Sequence, residues 1–183
     1  MTRLVLASKS PARLATLRAA GIEPEVIVSG VDESQLEGLP PAQLALGLAR
    51  LKAAAVVDRV TGAGLVLGCD SVLQLDGAAL GKPQDPRDAI DRWQAMRGRC
   101  GVLHSGHALH DLTSRTTISD VASTTVHFAE VSDAEIEAYV ATGEPLHVAG
   151  AFTIDGLGGA FITGIEGDHH NVVGVSLPWC AGW

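Results

Sequence analysis

Short apolar runs alternate with stripes of helical spacing along the first 60 residues. Residues 3–7 form an apolar run that predicts a buried strand, and residues 25–28 predict a second one. The pair Ser10-Pro11 has the residue types of a helix N-cap and first helical position, and Gly21 is placed to end that helix. Residues 41–60 carry Leu and Ala at spacings of four, three and four, which predicts a longer helix.

The middle of the chain predicts a central strand, a hairpin and a further helix. The apolar run at residues 65–69 stops at Asp70, as a buried strand of an α/β sheet would stop. Residues 71–75 continue in an extended pattern, and the pair Asp76-Gly77 is typical of a hairpin turn. Residues 85–96 begin with Asp-Pro, a cap followed by a first helical residue, and predict a helix.

The last part of the chain predicts two long strands and a helix before a glycine-rich end. Residues 102–109 and 116–128 are β-rich and predict an antiparallel pair. Residues 132–143 begin with a capping box and end at a glycine, which predicts a helix. Ile162 and the pair Val172-Val173 predict strand or short-helix fragments. Strands and helices in this order predict a mixed α/β fold.

The composition fits a single domain over residues 1–183. Apolar residues make up 46% of the chain and the mean hydropathy is +0.23, which favours a sizeable core and argues against disorder. The three cysteines, Cys69, Cys100 and Cys180, contain no Cys-x-x-Cys pair, and their odd number does not suit a secreted disulfide framework. No signal-peptide pattern and no run of 18 apolar residues occurs, so we expect a soluble cytoplasmic protein without membrane contact.

The charges are distributed unevenly. The net charge of −8 opposes binding to a nucleic acid polymer. Every lysine and arginine lies between Arg3 and Arg115, so residues 1–115 have a net charge of +1 and residues 116–183 have −9. An anionic ligand would therefore be held by the first two-thirds of the chain, or by a metal that bridges this part to the acidic remainder. Alternatively, the acidic remainder is only a solvated surface, and the charge distribution favours the two interpretations equally.

The loop between the first predicted strand and helix is the first candidate for chemistry. The phosphate loop, the dinucleotide-binding motif and the nucleophile elbow of hydrolases are all absent from the sequence. Ser8, Lys9, Ser10 and Arg13, however, surround a predicted helix N-terminus, whose free N–H groups suit a phosphate. Ordinary helix capping is the alternative interpretation.

Asp70 and Lys82 are the next candidates. A carboxylate at the end of a central strand lies where α/β active sites gather, and it could act as a general base or bind a hard metal ion. Asp70 could equally cap a turn or pair with a buried arginine. Lys82, between a glycine and a proline, would project from a rigid turn into a cleft or form a charged loop tip, and the nearby pair Asp32-Glu33 is a further acidic candidate.

The histidines suggest a weaker zinc hypothesis. His104, His107 and His110 recur every three residues, but in a strand this step alternates between the two faces, which disfavours a shared metal. The run Asp168-His169-His170 is another weak metal signal.

Nine short blocks in a fixed order are more specific than any single motif. They are residues 6–13, 32–33, 52–53, 69–72, 80–83, 98–99, 139–145, 149–152 and 171–174. In this order they resemble the Maf family of nucleotide pyrophosphatases, long named septum-formation inhibitors, along the chain from Leu4 to Pro178. The stretch at residues 98–106 resembles the actinobacterial branch of that family.

The resemblance implies a twisted mixed sheet flanked by helices, akin to inosine triphosphate pyrophosphatases, in a homodimer. It implies hydrolysis of nucleoside triphosphates to monophosphate and pyrophosphate with Mg²⁺ or Mn²⁺, as housecleaning of non-canonical or surplus nucleotides. A non-catalytic nucleotide-binding regulator of cell division is the alternative. The implied catalytic residues are Asp70, Glu33 and Lys52. The residues implied around the phosphates are Ser8, Arg13 and Lys82, with Ser10 beside them. Glu33 and Asp70 are also the implied metal ligands.

Three positions depart from the family pattern and leave the base preference open. Ala12 stands where the family usually has a second arginine. Ser71 and Asp155 stand where the branch that acts on dTTP and UTP usually has threonine and glutamine. The preferred base is therefore open between thymine or uracil, cytosine and modified bases.

Overall fold

The computed structural model describes residues 2–182, and within that range the chain forms one mixed sheet flanked by helices. The strands are β1 (Leu4–Leu6), β2 (Glu25–Val26), β3 (Leu65–Leu75), β4 (Ala78–Leu80), β5 (Cys100–Asp111), β6 (Thr116–Phe128) and β7 (Ile162–Glu166). The helices are α1 (Pro11–Ala19), α2 (Pro41–Val57), α3 (Pro86–Met96), α4 (Asp133–Ala141), α5 (His169–Val173) and α6 (Leu177–Ala181). None of these helices is long and apolar enough to cross a bilayer.

The predicted mixed α/β architecture is confirmed. The strand order within the described residues is β2-β1-β3-β5-β6-β7, with β4 also paired to β3. β1 pairs in parallel with β2 and β3, whereas the remaining pairs are antiparallel. The predicted antiparallel pair corresponds to β5 and β6, and the capping box between Ser132 and Glu135 starts α4 as predicted.

The extended pattern predicted through residue 75 is confirmed: β3 runs from Leu65 past Asp70 to Leu75, because β5 pairs with it from Leu65 to Gln74 and carries the ladder past the carboxylate. Two other predicted boundaries are wrong. The strand predicted over residues 25–28 is reduced to Glu25–Val26, since its partner β1 has only three residues. The helix predicted to residue 60 ends at Val57.

Two glycines end helices as predicted. Gly21 follows Ala20, the C-cap of α1, and Gly143 follows Thr142, the C-cap of α4. Both glycines adopt positive φ angles just beyond the helix, +80° and +79° respectively. Because glycine adopts a positive φ without strain, each of them turns the chain away from the helix that precedes it.

One edge of β3 has a gap in its strand pairing. β5 pairs along one edge of β3 up to Gln74, so β1 and β4 must share the other edge. On that edge β1 pairs only as far as Leu67, and β4 begins to pair at Leu73. Within the described residues, the edge at residues 68–72 has no strand partner, and Asp70 lies at the middle of this gap.

Helix α2 packs unusually close to the sheet because glycines face it. A Cβ atom on Gly68 would lie 2.1 Å from the backbone oxygen of Ala49, and one on Gly106 would lie 2.2 Å from that of Ala45. Both positions therefore require glycine if the helix is to stay at this distance. The short distance lets Lys52, on the same helix, reach the carboxylate of Asp70 on β3.

His107 is a buried titratable residue beneath the C-terminal helix. It is fully buried on β5, its Nε2 accepts a 2.9 Å hydrogen bond from the Ser176 N–H, and its ring stacks on Trp179. Burial lowers the pKa of His107 to about 4, and the Arg13 charge contributes. The neutral imidazole thus holds the segment that leads into α6.

We expect the free energy of unfolding to decrease as the pH falls from about 6.5 to about 4. The unfolded chain binds the proton at the ordinary histidine pKa, whereas folded His107 resists it until a pH of about 4, so protons favour unfolding. Full protonation of the unfolded histidine is worth up to about 3 kcal/mol. Urea unfolding across this pH range measures the slope for wild type and for His107→Gln, which keeps an acceptor but does not titrate.

His110→Gln, on the same strand but partly exposed, is the matched control for this measurement. It should retain the pH dependence of the wild type, whereas His107→Gln should reduce that dependence and leave the part that comes from His104, whose pKa burial also lowers. Equal slopes in wild type and His107→Gln would contradict the assignment to His107.

Candidate active site

The gap on the edge of β3 gathers the segments that carry the predicted site residues. Ser8 follows the end of β1, and the N–H of Ala7 still bonds to Leu67 at the last pair before the gap. Lys82 follows β4 on the other side of the gap. Asp70 lies between them on β3. Two loops and one strand thus border this gap in the sheet, which is called the cleft from here on.

The first loop is ordered by its own side chains. Ser10 is the N-cap of α1, and its hydroxyl accepts a hydrogen bond of 3.4 Å from the Arg13 N–H. The Ser8 hydroxyl accepts from the Ser10 N–H at 3.2 Å. Capping and ligand binding are therefore compatible in this loop, because the caps fix the helix start while Lys9 stays exposed.

Arg13 is a buried cation that lacks an acidic partner. Its residue is only 8% exposed. The guanidinium donates to the Gly174 carbonyl at 2.7 Å, to the Ser8 hydroxyl at 3.2 Å and to the Ser71 hydroxyl at 2.9 Å. Within residues 2–182 no carboxylate forms an ion pair with it. Since a guanidinium has five N–H donors, it can still bind an anion, which would supply the missing charge.

A chain of hydroxyl groups continues from Arg13 into the sheet. Ser71 accepts from Arg13 and lies 2.7 Å from the hydroxyl of Ser105, which donates to the Asn171 carbonyl at 3.2 Å. Since the Ser105 proton is used on Asn171, the Ser71 hydroxyl donates to Ser105 and keeps its oxygen for Arg13. Ser71, a predicted base-specificity residue, thus orients the arginine.

On the opposite face of β3, Asp70 meets a lysine from α2, and that lysine also contacts an acidic side chain from the segment before the helix. Asp70 and Ser71 are neighbours in a strand, so their side chains point to opposite faces. The Lys52 ammonium hydrogen-bonds to Asp70 and lies 2.8 Å from the Glu33 carboxylate. Burial by itself would lower the pKa of Lys52, but the carboxylates of Asp70 and Glu33 outweigh it and raise that pKa. Lys52 is therefore held as an ammonium ion in contact with both carboxylates.

Lys82 completes a cluster of cations. Burial lowers the pKa of Lys82, and the charges of Lys9, Arg13 and Lys52 lower it further, while Glu33 opposes them. Lys9, Arg13 and Lys52 are therefore close enough to act on the Lys82 ammonium. A polyphosphate would relieve this repulsion, because it is the kind of ligand that contacts several cations at once.

The acidic pair fits a hard metal ion. Glu33 and Asp70 converge on one point, which the Lys52 ammonium occupies. Within residues 2–182 no group of three or more histidine, cysteine or acidic side chains could hold a metal by itself. Magnesium sites commonly use one or two carboxylates and take further oxygens from substrate phosphates and water, so this pair suits Mg²⁺ or Mn²⁺ better than Zn²⁺.

The histidines of β5 make separate contacts, as their alternation predicted. His104 bonds to Ser123 and Gln74, and His110 bonds to Thr117. His107 accepts from Ser176 on the other face of the sheet. The zinc hypothesis therefore has no support among the described residues. Farther along, Asp168 serves as the N-cap of α5.

The structure does not join every predicted site residue to the cluster. Within residues 2–182, no hydrogen bond or ion pair connects Ala12 or Asp155 to the other predicted groups, and Asp155 is exposed in a bend. Their role in base selection stays a prediction. Ser105 and the Gly174 carbonyl were missed, although Gly174 belongs to one of the ordered blocks. Because they act through a buried hydroxyl and a backbone oxygen, their residue types gave no chemical signal.

Solved structures overlap this chain only loosely. The Ham1 protein of Staphylococcus aureus is 15% identical, with a TM-score of 0.49, covering 70% of this chain and 73% of its own. A nucleoside-triphosphatase / dITP/XTP pyrophosphatase from Mycobacterium abscessus is 18% identical, with a TM-score of 0.43, covering 71% and 76%.

Sequence relatives are far closer. One from Salinispora tropica is 64% identical over 180 residues, covering 96% of this chain and 80% of the relative. One from Streptomyces avermitilis is 61% identical over 178 residues, covering 96% and 86%. Both carry the name nucleoside triphosphate pyrophosphatase, and both are actinobacterial, as the resemblance implied. The family described as Maf-like protein matches residues 3–182, and the chain belongs to this Maf family.

Proposed function

We propose that this chain hydrolyses nucleoside triphosphates to nucleoside monophosphate and pyrophosphate in the cleft beside β3. The observation that carries the proposal is the buried Arg13, which pairs with no carboxylate among residues 2–182 and hydrogen-bonds to Ser71, the chain neighbour of Asp70 in the unpaired stretch of β3. The names of the close relatives support the same reaction. A non-catalytic regulator has no need of a carboxylate placed opposite the cations.

Charge neutralisation and positioning account for most of the proposed catalysis. Attack of water at the α-phosphorus builds negative charge on the equatorial oxygens and on the departing pyrophosphate. Arg13 and Lys82 bind these phosphate groups, with Ser8 and Ser10 at the start of α1. Asp70 accepts the proton of the attacking water, and Lys52 hydrogen-bonds to that carboxylate and fixes its orientation.

Glu33 and Asp70 would hold Mg²⁺ or Mn²⁺ as a cofactor. The bound metal would neutralise phosphate oxygens and lower the pKa of the attacking water. Lys52 contacts both carboxylates, so its ammonium competes with the metal for the same oxygens. A bound triphosphate gives this ammonium other oxygens to contact.

The proposal extends to the location, the oligomeric state and the substrates of the protein. The protein acts as a cytoplasmic homodimer that removes non-canonical or surplus nucleotides, with Ala12, Ser71 and Asp155 near the base. The three cysteines are free, which suits a reducing compartment. The preferred base and the preferred metal are matters for experiment.

A panel of canonical and modified triphosphates, with and without Mn²⁺, tests the proposal by measuring pyrophosphate release. We expect equimolar monophosphate and pyrophosphate from at least one nucleotide, with faster turnover when the metal is present. Orthophosphate and a diphosphate as products would contradict attack at the α-phosphorus. Tight binding without turnover of any nucleotide would support the regulator instead.

A further inference from the structure

The position of Lys82 is electrostatically unfavourable before a ligand binds. The charges of Lys9, Arg13 and Lys52 act against its ammonium, and the charge of Glu33 acts in its favour. A lysine side chain on a flexible loop would move away from such neighbours into water. The turn that carries Lys82 must therefore be held by other contacts if the ammonium is to stay in the cleft.

The backbone of this turn is fixed at the residue before Lys82. The Gly81 carbonyl accepts two hydrogen bonds, at 2.6 Å from the Arg92 guanidinium and at 3.0 Å from the Gly150 N–H. A second Arg92 nitrogen approaches the Lys82 carbonyl at 3.5 Å. Pro83, which follows Lys82, is buried. The turn is thus restrained on both sides of the lysine.

Arg92 is itself locked in place on α3. Its guanidinium forms an ion pair of 2.8 Å with Asp88 one helical turn earlier, and its side chain is only 14% exposed. The Asp88 carboxylate also accepts a hydrogen bond of 2.9 Å from the Gln84 N–H, just beyond the turn. The two side chains therefore connect α3 to the chain before and after Lys82.

We propose that Arg92 is a positioning residue for polyphosphate recognition, because its hydrogen bond to the Gly81 carbonyl keeps the Lys82 ammonium in the cationic cleft. Arg92 acts through the backbone of the turn, and no catalytic contact is assigned to it. This inference rests on the proposed function, since Lys82 is taken to bind phosphate. It adds a residue of α3, outside the cleft, to the groups on which turnover depends.

Arg92→Gln removes the guanidinium and leaves the Gly81 carbonyl with its bond from Gly150. We expect it to lower kcat/KM about tenfold and to weaken the affinity for inorganic tripolyphosphate by a similar factor, because the lysine is no longer held in place. Steady-state kinetics and calorimetry measure these effects. Arg92→Lys, which can still donate to one carbonyl, should recover part of the loss.

Arg87→Gln is the matched control on the same helix. Arg87 is 83% exposed and pairs with Asp91 at the same helical spacing as Arg92 and Asp88, and no hydrogen bond or ion pair within residues 2–182 joins its side chain to the turn. It should keep wild-type kinetics and tripolyphosphate affinity. A loss in Arg87→Gln equal to that in Arg92→Gln would overturn the inference, since the effect would then arise from helix charge in general.

A double-mutant cycle with Lys82→Ala separates positioning from a general structural role. If Arg92 acts through Lys82, adding Arg92→Gln to Lys82→Ala should change kcat/KM and tripolyphosphate affinity by less than about twofold. The same tenfold loss in both backgrounds would overturn the inference. Thermal unfolding of each variant identifies any loss that comes from instability.

Failure of this inference differs from failure of the proposed function. If wild type hydrolyses no triphosphate, the proposed function is wrong, and the tripolyphosphate arm of the cycle still measures the coupling between Arg92 and Lys82. If wild type is active and Arg92→Gln equals it in both measurements, the proposed function stands and the positioning role is wrong.

Discussion

Replacing Asp70 by asparagine is expected to lower kcat for triphosphate hydrolysis by about 100-fold or more, the usual size of a lost general base. Asparagine keeps the shape of the side chain and an oxygen for the Lys52 ammonium, but it cannot accept the proton of the attacking water. Phosphate binding should survive, because Arg13 and Lys82 are unchanged. Removing a negative charge beside the cations should leave tripolyphosphate affinity equal or higher.

The measurement therefore separates chemistry from binding. Initial rates of pyrophosphate release give kcat, and calorimetry with inorganic tripolyphosphate gives the affinity. Asp76→Asn is the matched control, since Asp76 lies at the turn after the same strand and pairs with Arg99 at the surface. Its φ angle of 51° is one that asparagine adopts readily. Normal kcat in Asp70→Asn would remove this carboxylate from the mechanism.

Local residue patterns were sufficient to predict most elements of this fold. Asp85 followed by proline and the capping box at Ser132 predict helix starts that the structure confirms, because a cap is a property of a few adjacent residues. The extended pattern of residues 71–75 likewise predicted that the strand continues to Leu75. The partner of Asp70 could not be predicted in this way, because Lys52 comes from a distant helix to pair with it.

Residue types predicted one part of the candidate site and could not predict the rest. The sequence indicated cations and a carboxylate around one cleft, and it placed Ser8, Arg13, Asp70 and Lys82 on the segments that border the gap in the sheet. The sequence could not indicate that Arg13 is held by the carbonyl of Gly174, because that contact spans 161 residues and its acceptor is a backbone oxygen. Contacts of this kind depend on topology rather than on residue type.

Arg13→Gln is expected to lower kcat/KM by about 100-fold, the size of a lost charged contact to a transition state with growing negative charge. Glutamine can replace one or two of the three hydrogen bonds to Gly174, Ser8 and Ser71, but it carries no charge. A ligand at 100 times its Kd stabilises a folded protein by about 2.7 kcal/mol. Tripolyphosphate should therefore raise the Tm of wild type, and this increase should disappear in Arg13→Gln.

Arg18→Gln provides the control from the same helix, because Arg18 is exposed and pairs only with Glu23 among the acidic residues of the described chain. It should retain both turnover and the tripolyphosphate-dependent increase in Tm. Arg13→Lys keeps the charge but cannot reach all three acceptors, so its rate and its Tm increase should fall between those of wild type and Arg13→Gln. An unchanged Tm increase in Arg13→Gln would mean that the buried guanidinium only links α1 to the Gly174 segment, and the anion would then have to be bound by the exposed lysines alone.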